Sequence, residues 1–225
     1  NMRLAAYPPG KGDITNMIRS YIHRCQKDGV KIVMNCEVTP ELIKEEKPDS
    51  VIIATGSKTL ILPIEGIDNP AIIHGSDLLD GKRPAGKKVL VVGGGMVGCE
   101  TAAFLGEQEH DVTVIEFRDT VGADVIHEHR VYLMKDFEDY GIKEITGAKV
   151  CKFYEDGVEY ESADGVRHET RGYDSVILSM GFRNYNPLEE KIKDLVPETH
   201  VIGDAIRARR ALDATKEAYE VASRL

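Results

Sequence analysis

The stretch VVGGGMVGCE at residues 91–100 constrains this chain more than any other. The run KKVLVV at 87–92 is continuously apolar after its lysines, the pattern of a strand covered on both faces in a parallel sheet. Three consecutive glycines follow, then Gly98, and Met96–Glu107 reads as a helix. Gly93, Gly95 and Gly98 fit GxGxxG in its required context, directly after a strand and opening a helix. The first glycine permits the tight turn, the second lets the backbone approach a pyrophosphate, and the third lets the helix pack close to the strand. The N–H groups of that helix start, with Gly94, Met96 and Val97 among them, face the phosphates, and the helix dipole favours their charge. DVTVIE at 111–116 forms the next strand and puts Glu116 at its C-terminal end, eighteen residues after Gly98. A carboxylate there accepts both ribose hydroxyls of an adenosine.

The candidate site is therefore Gly93, Gly94, Gly95, Met96, Val97 and Gly98 with Glu116, and Phe117 and Arg118 beyond it. A glycine turn that merely joins strand to helix is the plainer alternative; the order strand, glycines, helix, strand, acid weighs against it. A 2′-phosphate carries about −1.5 to −2 charge. Each unit of like charge some 4 Å from Glu116 costs up to about 4 kcal/mol at an effective dielectric near 20. NADH is expected to be preferred over NADPH, with Arg118 as the opposing influence.

The 225 residues suit one large or two small domains with a real core. A net charge of −9 argues against nucleic acid or an anionic membrane as the main partner. No apolar stretch approaches the roughly 20 residues of a membrane span, and no signal peptide opens the chain. Cys25, Cys36, Cys99 and Cys151 include no CxxC pair, which fits a reducing cytoplasm better than a disulfide framework or a zinc site. The first residue, Asn1, is no initiator, and the chain reads as starting within a longer protein.

Elsewhere, residues 1–12 read as irregular. Helices are predicted at 13–27, 40–46, 74–81, 126–140 and 211–225, and VKIVM at 30–34 reads as a short strand. SVIIATGS at 50–57 and YDSVILSMG at 173–181 read as buried strands ending in glycine turns, and HVIGD at 200–204 as the last strand. Residues 148–172 alternate apolar and polar around Asp156-Gly157 and Asp164-Gly165, the pattern of antiparallel hairpins. Cys99 reads as a small buried residue. His127 and His129 point apart on their helix, so a solvated face suits them better than a metal site. His74 and His110 have no evident partners. RARR at 207–210 reads as a solvated loop or as a patch for an acidic surface. No catalytic acid, base or nucleophile is identified.

Ala54-Thr55-Gly56, the nucleotide fold from Lys87, Met180-Gly181 and VIGD at 201–204 form an ordered set. With residues 1–12 and ARRALDATKEAYE, it resembles the C-terminal half of the NADH:flavin oxidoreductases related to 2,4-dienoyl-CoA reductase, 2-enoate reductase and trimethylamine dehydrogenase. That resemblance implies an α/β architecture: a Rossmann-like NAD domain at 83–185, inserted in an incomplete FAD domain formed by 1–82 and 186–225. It implies an N-terminal β/α-barrel partner carrying FMN and a 4Fe-4S cluster. Electrons would pass from NADH to FAD and onward to reduce an activated alkene. Thr55, Gly56, Gly203, Asp204 and Ala214 would lie toward FAD, and Met180 and Gly181 toward the nicotinamide. The family's FAD domain opens with its own GxGxxG unit. This sequence has one such fingerprint, in the NAD domain, so weak or absent flavin binding is expected of the chain alone. Disulfide reductases with this architecture carry a redox-active cysteine pair; Cys25 and Cys36 have ten residues between them, a predicted strand included, so disulfide reduction is not expected. A catalytically silent nucleotide-binding or docking module is the alternative reading; a single-Rossmann dehydrogenase is a third. An FAD domain without its central strands would expose apolar edges and favour a homo-oligomer.

Overall fold

The computed structural model describes residues 2–225; Asn1, with which the first segment opens, lies outside the described residues. In chain order the helices and strands begin with α1 (Asp13–Lys27), α2 (Pro40–Glu46), β1 (Ser50–Ile53), β2 (Ser57–Thr59), β3 (Ile73–His74) and α3 (Gly75–Leu79). Next come β4 (Lys88–Val92), α4 (Met96–Glu107), β5 (Asp111–Ile115), α5 (His127–Asp139) and β6 (Lys143–Ile145). Then follow β7 (Lys149–Tyr154), β8 (Gly157–Glu161), β9 (Arg167–Thr170), β10 (Ser175–Leu178) and β11 (Phe182–Asn184). The chain closes with α6 (Glu189–Ile192), β12 (Glu198–Val201) and α7 (Ala211–Ala222). It divides into two compact units, one of residues 2–19 and 59–181, the other of residues 20–58 and 182–225.

The first unit is built on a five-stranded sheet of order β3-β10-β4-β5-β6, parallel throughout. The apolar run at 89–92 has two jobs, because successive side chains face opposite sides. Val89 and Val91 pack with Val112, Val114 and Ile177 against Cys99, Ala102 and Leu105 of α4 and Leu133 and Phe137 of α5. Leu90 and Val92 pack with Ile115, Val176 and Leu178 against Phe153, Val158 and Tyr173. Phe153 and Val158 belong to the antiparallel sheet β7-β8-β9, whose hairpins turn where Asp-Gly pairs are expected to turn them. Both faces are covered, which is why the strand carries no polar alternation.

The second unit has a smaller core. Strand β1 pairs in parallel with β12, and Ile43, Ile53, Leu188, Ile192 and Val196 form the buried cluster. Helix α2 starts as its sequence dictates: Pro40 follows Thr39, whose hydroxyl accepts from the Leu42 N–H at 3.3 Å.

Three expectations need correction. Residues 30–34 form no strand: among the described residues nothing pairs with them, and Val30, Ile32, Val33 and Met34 stand exposed. A strand is held by its neighbours' hydrogen bonds, and β propensity alone does not make one. Strand β1 is not buried as a whole, since in a two-stranded sheet Ile52 keeps one face open. The segment 50–57 also ends its strand at Ile53, and a separate strand, β2, begins at Ser57 and pairs with β11.

Candidate functional site

In the parallel sheet, β5 departs from β4 on one side and β10 lies on the other. The C-terminal ends of these three strands thus meet where the strand order reverses, the usual place for a ligand in such sheets. There the structure gathers the glycine loop after β4, Glu116 after β5, and Ser179-Met180-Gly181 after β10.

Each glycine of the loop has its own reason. A Cβ on Gly98 would overlap the Gly93 carbonyl, so α4 could not pack this close. A Cβ on Gly93 would meet the Ser179 carbonyl at 2.5 Å, and Gly93 sits at φ +104°. A Cβ on Gly94 would strike Glu116 and Val121, both at 2.9 Å. Gly95 differs, because a Cβ there would meet a single side chain, the Asp124 carboxylate, at 3.3 Å. The other three glycines serve packing, whereas at Gly95 no backbone stands among the nearest atoms, and the face a pyrophosphate would approach is bordered by the movable Asp124 side chain. The residues present therefore fit a dinucleotide.

Glu116 is held at both oxygens. Its Oε2 accepts from the Gly94 N–H at 2.5 Å and its Oε1 from the Arg118 N–H at 2.9 Å. Two backbone donors fix the carboxylate in place, and each oxygen keeps a lone pair for a ribose hydroxyl. Phe117 beside it is exposed. Val97 and Met96 stand in the first turn of α4. Cys99 is fully buried, its thiol donates to the Gly94 carbonyl at 3.2 Å, and burial pushes its pKa up to about 12. It is a packing residue, as its sequence context suggests.

Thr55, Gly56, Gly203, Asp204 and Ala214 come together in the second unit. The Asp204 carboxylate accepts from the Ser57 hydroxyl and the Arg209 N–H, both at 3.0 Å. The Gly203 N–H donates to Glu217 at 2.7 Å, and a Cβ on Gly203 would meet that of Ala214 at 3.1 Å. Thr55 donates to the Tyr185 carbonyl, and the Tyr185 N–H to that of Gly56. The polar groups at Gly203 and Asp204 are thus engaged within the chain. Among the described residues, one strand–glycine–helix cradle is present, the one after β4.

Several participants escape sequence reading. Asp124 accepts from the Met96 N–H at 2.9 Å, placing a carboxylate at the start of α4. Arg130 braces the loop before it by donating to the Thr120 hydroxyl and the Val121 carbonyl. Glu100 is a buried carboxylate on α4, paired with Lys11 and 3.9 Å from His129 Nε2. His129 therefore faces a carboxylate instead of lying on a purely solvated face. His110 has a partner as well, the Gly86 carbonyl at 2.7 Å. Arg209 of the RARR stretch pairs with Glu217, inside the chain. No local motif marks these contacts, and those of Glu100, Asp124 and His110 join residues 24 or more positions apart.

The sequence profile described as "pyridine nucleotide-disulphide oxidoreductase" matches residues 11–204. The bilirubin reductase of Mediterraneibacter gnavus is 30% identical over 225 residues, which cover 99% of this chain and 34% of that protein. The metal reductase of Desulforamulus reducens is 28% identical over 252 residues, covering 97% and 37%. Among solved structures, 2-naphthoyl-CoA reductase in complex with 2-naphthoyl-CoA superposes with a TM-score of 0.92 at 30% identity, over 100% of this chain and 34% of that one. The chain spans about a third of the length of the relatives it matches. Its likeness to reductases of the 2,4-dienoyl-CoA reductase type is borne out, as is the two-dinucleotide-domain flavoprotein architecture. A glycine cradle, a fixed acid at the next strand and a profile that covers most of the chain agree: this chain belongs to the pyridine nucleotide-disulphide oxidoreductase family.

Proposed function

We propose that this chain is the NADH-binding module of a flavin-dependent oxidoreductase that reduces an activated alkene. The observation that carries this reading is the Glu116 carboxylate, fixed by the Gly94 and Arg118 N–H groups beside the glycine loop. It receives the adenosine ribose, while the backbone at Gly95 and Met96 receives the pyrophosphate. Met180 and Gly181, at the end of β10, border the nicotinamide. Held there, the nicotinamide would supply a hydride to the FAD of the complete enzyme, whose FMN and 4Fe-4S cluster would lie outside this chain in a β/α-barrel domain. An alkene acceptor is supported by the relative named cinnamate reductase, because cinnamate carries a carbon–carbon double bond conjugated to its carboxylate.

This chain's own contribution is placement. It binds the adenosine half, orients the dinucleotide and discriminates against a 2′-phosphate; proton transfer is no part of hydride donation. Calorimetric titration of Gly95→Val with NADH tests the site. A Cβ branch on the open side of the loop is expected to abolish measurable binding while the melting temperature stays within a few degrees. Unaltered NADH affinity would overturn the assignment. Hydride transfer from NADH to added FAD no faster than without protein would favour the catalytically silent module instead.

A further inference from the structure

We infer that Asp124 is a built-in competitor of the cofactor pyrophosphate, so that dinucleotide entry requires its carboxylate to leave the Met96 N–H. The inference rests on the reading of the glycine loop as a dinucleotide site.

Three observations carry it. Asp124 Oδ1 accepts from the Met96 N–H at 2.9 Å, in the first turn of α4. The same carboxylate is what lies nearest to the place of a side chain at Gly95, where an added Cβ would come within 3.3–3.7 Å of its three atoms. The backbone that delivers it is anchored. The Gly122 N–H donates to the Gly94 carbonyl at 2.7 Å, Val121 and Val125 are buried, and Arg130 holds Thr120 and Val121. The carboxylate is thus presented to the anion-binding end of α4 by a braced loop.

A backbone N–H has one hydrogen to give. A phosphate oxygen and a carboxylate oxygen cannot both take it at full strength, and their negative charges repel. The helix start favours whichever anion is present. Asp124 therefore satisfies the N–H in the free protein and raises the threshold for the dinucleotide. The effect applies to ligands that carry a pyrophosphate and not to those that reach Glu116 alone. It yields a selectivity in which the adenosine moiety must supply enough binding to displace the carboxylate, and free phosphate is rejected.

Asp124→Asn tests this with little disturbance, because the amide oxygen can still accept from Met96 while the charge is gone. NADH, ADP and adenosine are titrated calorimetrically into the wild-type chain and the variant, with melting curves for both. The expected result is NADH and ADP tightened on the order of tenfold, with adenosine unchanged within about twofold. NADH bound equally well or more weakly by a folded Asp124→Asn chain would overturn the competition and leave the dinucleotide site standing. Binding of no ligand by either folded chain would bring down the site reading and the inference with it. A second readout needs no ligand: in Asp124→Ala, which removes the acceptor, the Met96 amide resonance of the free chain should move upfield from its wild-type position. An unmoved resonance in a folded Asp124→Ala chain would show that the carboxylate does not hold that N–H, and would also overturn the proposal.

Discussion

Residues 50–56, SVIIATG, and residues 175–181, SVILSMG, are close to the same sentence written twice. The second becomes β10, an interior strand of a five-stranded sheet, with Val176 and Ile177 wholly buried. The first becomes β1, one of two strands, with Ile52 40% exposed where its counterpart Ile177 is 0% exposed. Even the leading serines diverge: Ser175 accepts from the Gly86 N–H at 2.9 Å, while the buried Ser50 hydroxyl has no hydrogen-bond partner among the described residues. Both glycines keep the left-handed φ of a strand-ending turn, +76° at Gly56 and +96° at Gly181. The local instruction, strand then glycine, is obeyed in both places. What differs is the number of neighbours each strand receives, and that is decided far away in the sequence.

The largest effect should separate the two strands. Ile177→Ala is expected to cost about 3–4 kcal/mol in denaturant unfolding, as for a fully packed core residue. Ile52→Ala should cost less than about 1 kcal/mol, since much of its surface is already in water. Equal losses would break the comparison. A smaller and equal effect is expected at the turns. Gly56→Ala and Gly181→Ala meet no atom within 4 Å, so each should pay the left-handed backbone penalty alone, about 1 kcal/mol. A much larger loss at one of them would show that the turns too are set by their surroundings.

Next comes association. Ile32, Val33, Met34 and Ile52 are exposed in the second unit, and apolar surface of this kind drives self-association. Sedimentation across a range of concentrations should show self-association that Val33→Ser with Met34→Ser reduces, at a stability change within about 0.5 kcal/mol. A wild-type chain that stays monomeric throughout would remove the basis for a homo-oligomer.

The smallest effect concerns pH. Arg209 beside Glu217, and the Gly203 N–H bonded to it, hold the Glu217 carboxyl below the usual range. A depressed folded-state pKa means that the ionised form contributes stability above the ordinary glutamate value, and that this is lost as pH falls through the lower, folded value. Both groups are close to solvent, so the contribution is small. Glu217→Gln should flatten the acid limb of the stability profile slightly below about pH 4.5; an unchanged profile would mean that the pair is inert.

The glycine-loop half of the molecule was legible in the sequence because its signals are local. A strand buried on both faces, glycines that each admit a close approach, and an acid one strand later are all written within thirty residues. The hairpins were legible for the same reason, through Asp156-Gly157 and Asp164-Gly165. Residues 30–34 were misread because nothing in VKIVM tells whether a partner strand exists. Asp124 was invisible because its role comes from a loop folding back onto Met96, and Glu100 because Lys11 reaches it from 89 positions away. Where a residue's meaning depends on a contact distant in sequence, period and motif carry no trace of it.

The central claim is that Glu116 and the glycine loop form a working dinucleotide site that reads the adenosine ribose. Calorimetric titration of the purified chain with NADH and then with NADPH addresses it most directly. The account predicts binding of NADH in the micromolar range and of NADPH at least about tenfold weaker, the penalty of placing a phosphate against a fixed carboxylate. NADPH binding as tight as NADH, or no binding of either to the folded chain, would contradict it.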